Sequence, residues 1–215
     1  MPYAIPKPSK ERLLNILRIL EVLPQHLEAK NYTSAELEML TGWPSNTIRK
    51  DISSLMSHTR PGSQGAWLGG NTGYPPETLV PLIKEALGLT KKRSFCIVGL
   101  GRLGSAYLNM DSLGEFELTA GFDINVNRIE ILKSPVPLYP VYKMNEVIHR
   151  LGIEIALLCV PAEAAQNTAK KLVAAGIRGI LNFAPVILSL PQERSGTVVR
   201  NVYVADELRV LAVKM

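Results

Sequence analysis

Cys96-Ile97-Val98-Gly99-Leu100-Gly101-Arg102-Leu103-Gly104 is the stretch whose reading decides the fold. An apolar run stops at a glycine, the glycines follow as G-x-G-x-x-G, and Ser105-Ala106-Tyr107-Leu108 continues as helix-favouring sequence. Strand, tight turn and helix start form the arrangement that cradles a pyrophosphate. Gly99 permits the turn, Gly101 lets the backbone approach phosphate, and Gly104 lets the helix pack on the strand. Backbone N–H groups and the positive end of the helix supply the attraction for the anion. A second apolar run, Leu118 to Phe122, closes on Asp123. That acid stands about 20 residues past the last glycine, where a carboxylate takes a ribose hydroxyl. A bound dinucleotide is the first reading, and a packing turn that holds no ligand is the other. Asp123 favours NADH and NAD+ over their 2′-phosphorylated forms, and Arg128 is the residue able to weaken that preference.

The 215 residues suffice for one large domain or two small ones. With 47% hydrophobic and 20% charged residues the composition is that of a globular protein. No apolar run spans a bilayer, and Pro6, Lys7 and Pro8 break up an N-terminus that makes no signal peptide. The expectation is a cytoplasmic protein without membrane contact. Cys96 and Cys159 fall in apolar runs and form no C-x-x-C, and His26, His58 and His149 show no ligand spacing. No metal site is expected. Residues 1–93 carry twelve Lys/Arg against eight Asp/Glu, +4, while residues 94–215 carry twelve against eleven, +1. From Met39 to Pro76 the one acid is Asp51, against Arg49, Lys50 and Arg60. Such a basic stretch attracts phosphate backbones or is simply a solvated face.

Helical periodicity opens the chain. Ser9 is a candidate cap for a helix from Lys10 to about Val22, whose wide stripe of Leu13, Leu14, Ile16, Leu17, Ile19, Leu20 and Leu23 asks for cover on two sides. Arg12 stands among these apolar residues. Thr33-Ser34-Ala35-Glu36 is a capping box opening a short helix with Leu37 and Leu40 inward. After the turn Thr41-Gly42-Trp43-Pro44, Ser45 caps a third helix to about Ser57. Ile48, Ile52, Leu55 and Met56 share one face, with Asn46, Arg49, Lys50, Ser53, Ser54 and Ser57 on the other. This is the helix-turn-helix pattern, with Ser45, Asn46, Thr47, Arg49, Lys50 and Ser53 as candidate DNA contacts. An ordinary amphipathic surface helix remains the alternative. Residues 59–76, rich in Gly, Pro, Ser and Asn, fit a wing anchored by Trp67, Leu68 and Tyr74, with Arg60 reaching DNA. A helix from Glu77 to Leu87 stops at Gly88. The domains expected are a winged helix-turn-helix over 1–89, a linker over 90–93, a dinucleotide-binding domain over 94–202 and a terminal helix over 203–215.

From Ser94 strands and helices alternate: strand Phe95–Val98, helix Arg102–Met110, strand Leu118–Phe122, a variable stretch at 135–139, helix Met144–Leu151, strand Ile153–Val160, helix Ala162–Ala175, strand Ile177–Asn182 and strand Val198–Val202. The alternation implies an α/β fold with a Rossmann-type, doubly wound parallel sheet. Ligands in such sheets lie beyond the strand C-termini. The candidate cofactor residues are therefore Gly99, Leu100, Gly101, Arg102, Leu103, Gly104 and Asp123, with Val160, Pro161, Asn182, Phe183 and Ala184. The terminal helix from Tyr203 is apolar most of the way round, which suggests insertion into a second subunit, with packing on its own sheet as the alternative.

A helix-turn-helix followed by a dinucleotide-binding fold resembles the redox-sensing repressor family Rex. The likeness covers nearly the whole chain and is strongest at Arg12-Leu13-Leu14, Ile48-Arg49-Lys50-Asp51, Gly73-Tyr74, the glycine motif, Val160-Pro161-Ala162-Glu163-Ala164-Ala165-Gln166 and the run from Ala175 to Val186. It implies a homodimer that exchanges C-terminal helices, each winged helix reading half of a palindromic operator. NADH closes the dimer and releases DNA, and NAD+ permits binding. It also implies a switch joining an Arg of the first helix, an Asp at the start of the exchanged helix and a Tyr ending the first Rossmann helix. Here those positions hold Arg12, Tyr203 and Met110, so the pair lacks its acid. The wing carries an insertion around Ser63 to Thr72, and Leu55-Met56 replaces an aromatic-glycine end of the recognition helix.

The leading reading is an NAD(H)-responsive repressor, with a regulator of altered or lost redox sensing as its variant. A small NAD-dependent reductase is the enzymatic alternative. No Lys, His, Tyr or Ser stands where a hydride acceptor's carbonyl needs an acid, and no substrate domain is present, so no catalytic residue is assigned. A coenzyme A-binding module shares the glycine turn and the proline after the fourth strand, yet leaves the Asn46–Ser57 face without a role.

Overall fold

A computed structural model describes residues 5–22, 31–59, 73–110, 113–190 and 196–215. The chain divides into two compact units, Met1–Lys91 and Lys92–Met215.

Among its described residues the first unit holds four helices: α1 (Lys7–Val22), α2 (Ser34–Thr41), α3 (Ser45–Thr59) and α4 (Pro76–Leu87). Their apolar faces meet in one core built on Leu13, Ile16, Leu37, Ile48, Ile52, Leu55, Leu79 and Ile83. The capping box of α2 forms as its spacing requires. The Thr33 hydroxyl accepts from the Glu36 N–H at 3.2 Å and Glu36 Oε2 accepts from the Thr33 N–H at 2.8 Å. Gly42, at φ 77°, turns the chain out of α2. Three details depart from the sequence expectations. Ser9 lies inside α1, which starts earlier with the Lys10 N–H on the Pro6 carbonyl. Ser45 is the first residue of α3 and not its cap. The Pro44 carbonyl accepts from Ile48 at 3.1 Å, while the Ser45 N–H donates to Glu38 Oε2 at 3.0 Å. A carboxylate of α2 thus sits at the positive end of α3 and fixes the turn between them. Leu40 is exposed, because the short α2 buries only Leu37.

Asp51 faces the core alongside Ile48 and Ile52 and is 7% exposed. Arg12 of α1 reaches it with both arms of the guanidinium, Nε to Oδ2 at 2.6 Å and Nη2 to Oδ1 at 3.0 Å, while Nη2 also bonds Ser9 Oγ at 3.2 Å. This bidentate pair joins α1 to α3, and the hydrogen bond to Asp51 raises the Arg12 pKa. Tyr32 and Tyr74 exchange backbone hydrogen bonds of 2.9 and 2.8 Å in a two-residue antiparallel bridge. The remainder of the expected wing, with Arg60, Trp67 and Leu68, lies outside the described residues.

Among its described residues the second unit forms a six-stranded, all-parallel sheet of order β3-β2-β1-β4-β5-β6. Its elements run β1 (Arg93–Val98), α5 (Arg102–Leu108), β2 (Phe116–Asp123), α6 (Val126–Ile131), β3 (Leu138–Pro140), α7 (Met144–Leu151), β4 (Ile155–Leu158), α8 (Ala162–Ala174), β5 (Gly179–Asn182), β6 (Val198–Asn201) and α9 (Val204–Lys214). The order reverses between β1 and β4, so the crevice of a doubly wound sheet opens at their C-termini. Helix α5 ends at Leu108, because Asn109 closes it through its own amide on the Ser105 carbonyl at 3.1 Å. Met110 therefore lies beyond the helix. The stretch read as variable, 135–139, runs into the edge strand β3, and α6 precedes it where no helix was expected. Pro140 is tolerated at the edge because it needs no ladder N–H.

Removing the carboxylate in Asp51→Ala leaves Arg12 without its counter-charge, with only the Ser9 hydroxyl, among the described residues, still bonded to it. The expected result is a loss of roughly 2 kcal/mol in the unfolding of that unit, read from denaturant midpoints followed by hydrogen exchange. The Arg12 head is partly exposed, which keeps the effect below that of a fully buried pair.

Candidate nucleotide and nucleic-acid sites

The glycine turn joins β1 to α5 under tight steric limits. Gly99 has φ 92°, and a Cβ there would lie 2.6 Å from the Cys159 carbonyl oxygen and 2.9 Å from Val160 Cγ1. A Cβ on Gly104 would lie 1.9 Å from the Gly99 carbonyl oxygen. Both glycines are required by protein packing alone. Gly101 differs, since its Cβ would meet nothing within 4 Å. A turn sealed against the sheet on one side and open at its middle glycine fits a pyrophosphate. Arg102 and Leu103 follow in the exposed first turn of α5.

Asp123 ends β2 and is 2% exposed. Its Oδ2 accepts from the Leu100 N–H at 2.7 Å and from Arg128 Nη1 at 2.9 Å, and its Oδ1 accepts from the Asn125 N–H at 2.8 Å. The carboxylate thus latches the glycine turn to the tip of the neighbouring strand. It stands where a ribose would be read, with an arginine already on it.

Val160 and Pro161 follow β4, and Pro161 precedes the first turn of α8. Asn182 ends β5 with a fully buried side chain. Its Nδ2 donates to the Val186 carbonyl at 2.7 Å and to Asn201 Oδ1 at 2.9 Å, and its Oδ1 accepts from the Ala184 N–H at 3.0 Å. The amide is therefore committed to shaping the loop that carries Phe183 and Ala184. The Phe183 ring packs on Tyr107 of α5, with centroids 5.3 Å apart. Tyr107 is a residue the motif reading passes over, although it lies one turn after Gly104 on the same helix face. Burial raises its phenol pKa, and burial pushes both thiols, Cys96 and Cys159, up to about 12. The thiols stay protonated and serve as packing.

On α3 the side chains of Asn46, Arg49, Lys50 and Ser53 are exposed, with Ser45 and Thr47 half-buried beside them. Two cations and a row of small hydrogen-bonding groups thus share the outer face of the second helix of a helix-turn-helix. Arg60 falls outside the described residues. Of the three switch positions, Arg12 is held by Asp51 within its own unit, Met110 is exposed after α5, and Tyr203 directly precedes α9. Helix α9 leaves Leu208, Val210, Leu211 and Val213 exposed. A cleft of about 700 Å³ opens beside the end of α5, away from the glycine turn, lined among others by Phe95, Tyr107, Met110, Leu118, Lys133 and Val136. Among the described residues, no group of His, Cys, Asp or Glu is arranged to hold a metal ion, and no helix is long and apolar enough to cross a membrane.

A CoA binding domain family model matches residues 90–186. The redox-sensing transcriptional repressor Rex of Thermus thermophilus is 40% identical over 193 residues, which are 88% of this chain and 85% of that protein. Rex of Streptomyces coelicolor is 34% identical over 97% of this chain and 76% of its own length. Among solved structures, RSP, a Rex-family repressor, in complex with β-NADH superposes with a TM-score of 0.79 at 31% identity, over 99% of this chain and 94% of that one. RSP in complex with β-NAD+ and operator DNA gives a TM-score of 0.78 at 31% identity, over 99% and 93%.

The two glycines of the turn should separate by experiment. Gly104→Ala is expected to destabilise the second unit by roughly 3 kcal/mol, since backbone must move to admit the methyl. Gly101→Ala is expected to leave the denaturant midpoint unchanged while weakening dinucleotide binding, measured by NADH fluorescence.

Proposed function

The chain belongs to the Rex family of redox-sensing transcriptional repressors, and on that premise we propose that it is a cytoplasmic repressor whose grip on operator DNA is set by NADH and NAD+. The observation that carries this reading is the cradle in which Gly99 and Gly104 are sealed by protein while Gly101 stays open. Backbone from Gly99 to Gly104, with Arg102 and Leu103, holds the pyrophosphate. Asp123 stands at the adenosine ribose. Val160, Pro161, Phe183 and Ala184 line the path toward the nicotinamide, in a loop shaped by Asn182. The dinucleotide supplies a charge difference rather than a reaction. The reduced ring is neutral and the oxidised ring cationic, so an apolar lining such as the Tyr107–Phe183 pair favours the reduced form.

In the first unit, α3 enters the major groove. Asn46, Thr47 and Ser53 face base edges, Arg49 and Lys50 bind phosphate or guanine, and Ser45 and Arg60 add backbone contacts. The pairing of NAD+ with operator DNA in the RSP structure supports a DNA-competent oxidised state. The protein acts as a homodimer. The exposed apolar side chains of α9 require cover, and a second copy supplies it, in the cleft beside Met110 or on the sheet edge. NADH shifts the dimer only by contacting one arrangement better than the other. Tyr203 brings no acid and Arg12 is engaged by Asp51. The two arrangements therefore differ in packing of α9 and the nucleotide loops, and not in an ion pair made by Arg12. The regulatory reading leaves the chain without chemistry of its own to perform.

Lys50→Ala is expected to weaken operator binding about tenfold at moderate salt and to lower the slope of log K against log salt by about 1. Fluorescence anisotropy over a salt series measures both. Unchanged affinity removes α3 from the interface.

A further inference from the structure

We propose that Arg128 makes the ribose end of the nucleotide site permissive for a 2′-phosphate, so that NADPH and NADP+ are ligands of this chain alongside NADH and NAD+. The inference rests on the dinucleotide reading above and adds a specificity-determining residue to it. An ionised carboxylate offers about four lone-pair sites on its two oxygens. On Asp123 three are taken: Leu100 N–H and Arg128 Nη1 on Oδ2, and Asn125 N–H on Oδ1. A ribose diol read by both oxygens of an acid needs a free site on each. Here Oδ2 is filled at both of its positions, and only Oδ1 keeps one. The acid that would select an unphosphorylated ribose is therefore largely committed to the glycine turn and to Arg128.

Charge leads to the same conclusion. Asp123 rejects a 2′-phosphate through its negative charge, but the guanidinium at 2.9 Å neutralises that charge where it would act. Asp123 is nearly inaccessible, whereas the Arg128 side chain is 43% exposed. An incoming anion meets the cation first. Arg128 presents five N–H donors in a planar fork, the geometry that suits phosphate oxygens, and a single one engages Asp123 among the described residues. Its backbone is fixed as well, since the Arg128 N–H donates to Asn125 Oδ1 at 3.2 Å in the first turn of α6. The fork is thus anchored at both ends.

The test titrates the purified full-length protein with NADH and with NADPH by intrinsic nucleotide fluorescence, for wild type, Arg128→Ala and Arg128→Lys, with thermal melts to confirm that each variant is folded. In the wild type the NADPH dissociation constant is expected within about twentyfold of that for NADH. Arg128→Ala should weaken NADPH at least tenfold while NADH stays within about threefold, and Arg128→Lys should keep part of the NADPH binding, because the charge survives without the fork. A wild-type gap above twentyfold overturns the proposal, as does an Arg128→Ala change that moves both ligands equally; in either case NADH binding stands. If neither dinucleotide binds the wild type, the nucleotide reading itself fails and this inference with it.

Discussion

The second unit depends on how closely α5 approaches the turn before it. A Cβ at position 104 would sit 1.9 Å from the Gly99 carbonyl oxygen. That proximity orients the turn and brings the first residues of the helix over the end of β1. Asp123 then locks the same turn from the neighbouring strand through the Leu100 N–H. Two constraints from different elements leave the middle glycine open to solvent, with backbone donors around it and a positive helix end behind it. A turn held this way, with no neighbour at Gly101, has the shape that the proposed phosphate contact requires.

The first unit is organised by a different contact. Asp51 is a charged residue in the inward face of α3, and Arg12 satisfies it from α1. The pair ties α1 to the inward side of α3, whose exposed face carries Arg49 and Lys50. It also engages Arg12, one of the three positions at which the family resemblance expects a switch. In the proposed account, coupling between nucleotide and DNA falls to elements that stay exposed in a single chain, above all α9. Such coupling is a difference in free energy between two arrangements, and each contact matters only if it differs between them.

Much of this was readable from residue order. The G-x-G-x-x-G motif announced its turn because only glycine meets the demands at 99 and 104, and Asp123 was placed by its spacing from it. The α2–α3 pair was visible because the capping box and Gly42 are local signals with local causes. Failures came where tertiary contacts decide. Asp51 looked like one acid in a basic stretch, although its place between Ile48 and Ile52 marks the inward face. Ser45 reads as a cap, but α3 already begins with it, after the Pro44 carbonyl, and Glu38 from another helix takes its N–H. The hydrogen bonds of the Asn182 amide to Val186 and Asn201 are not legible either, because those partners lie in segments that periodicity cannot bring together. The three-residue β3 is too short to show an alternation, and Pro140 argues against a strand anywhere but at an edge.

The most direct measurement is the affinity of the protein for its operator as NADH is added at fixed total dinucleotide, followed by anisotropy with the purified chain and a DNA fragment from its own upstream region. The expected result is a progressive loss of DNA binding as NADH replaces NAD+, by tenfold or more at saturation, a coupling of about 1.4 kcal/mol. An operator affinity that stays constant across the whole NADH-to-NAD+ range, with both nucleotides shown to bind, contradicts control of the DNA-reading helices by the glycine turn.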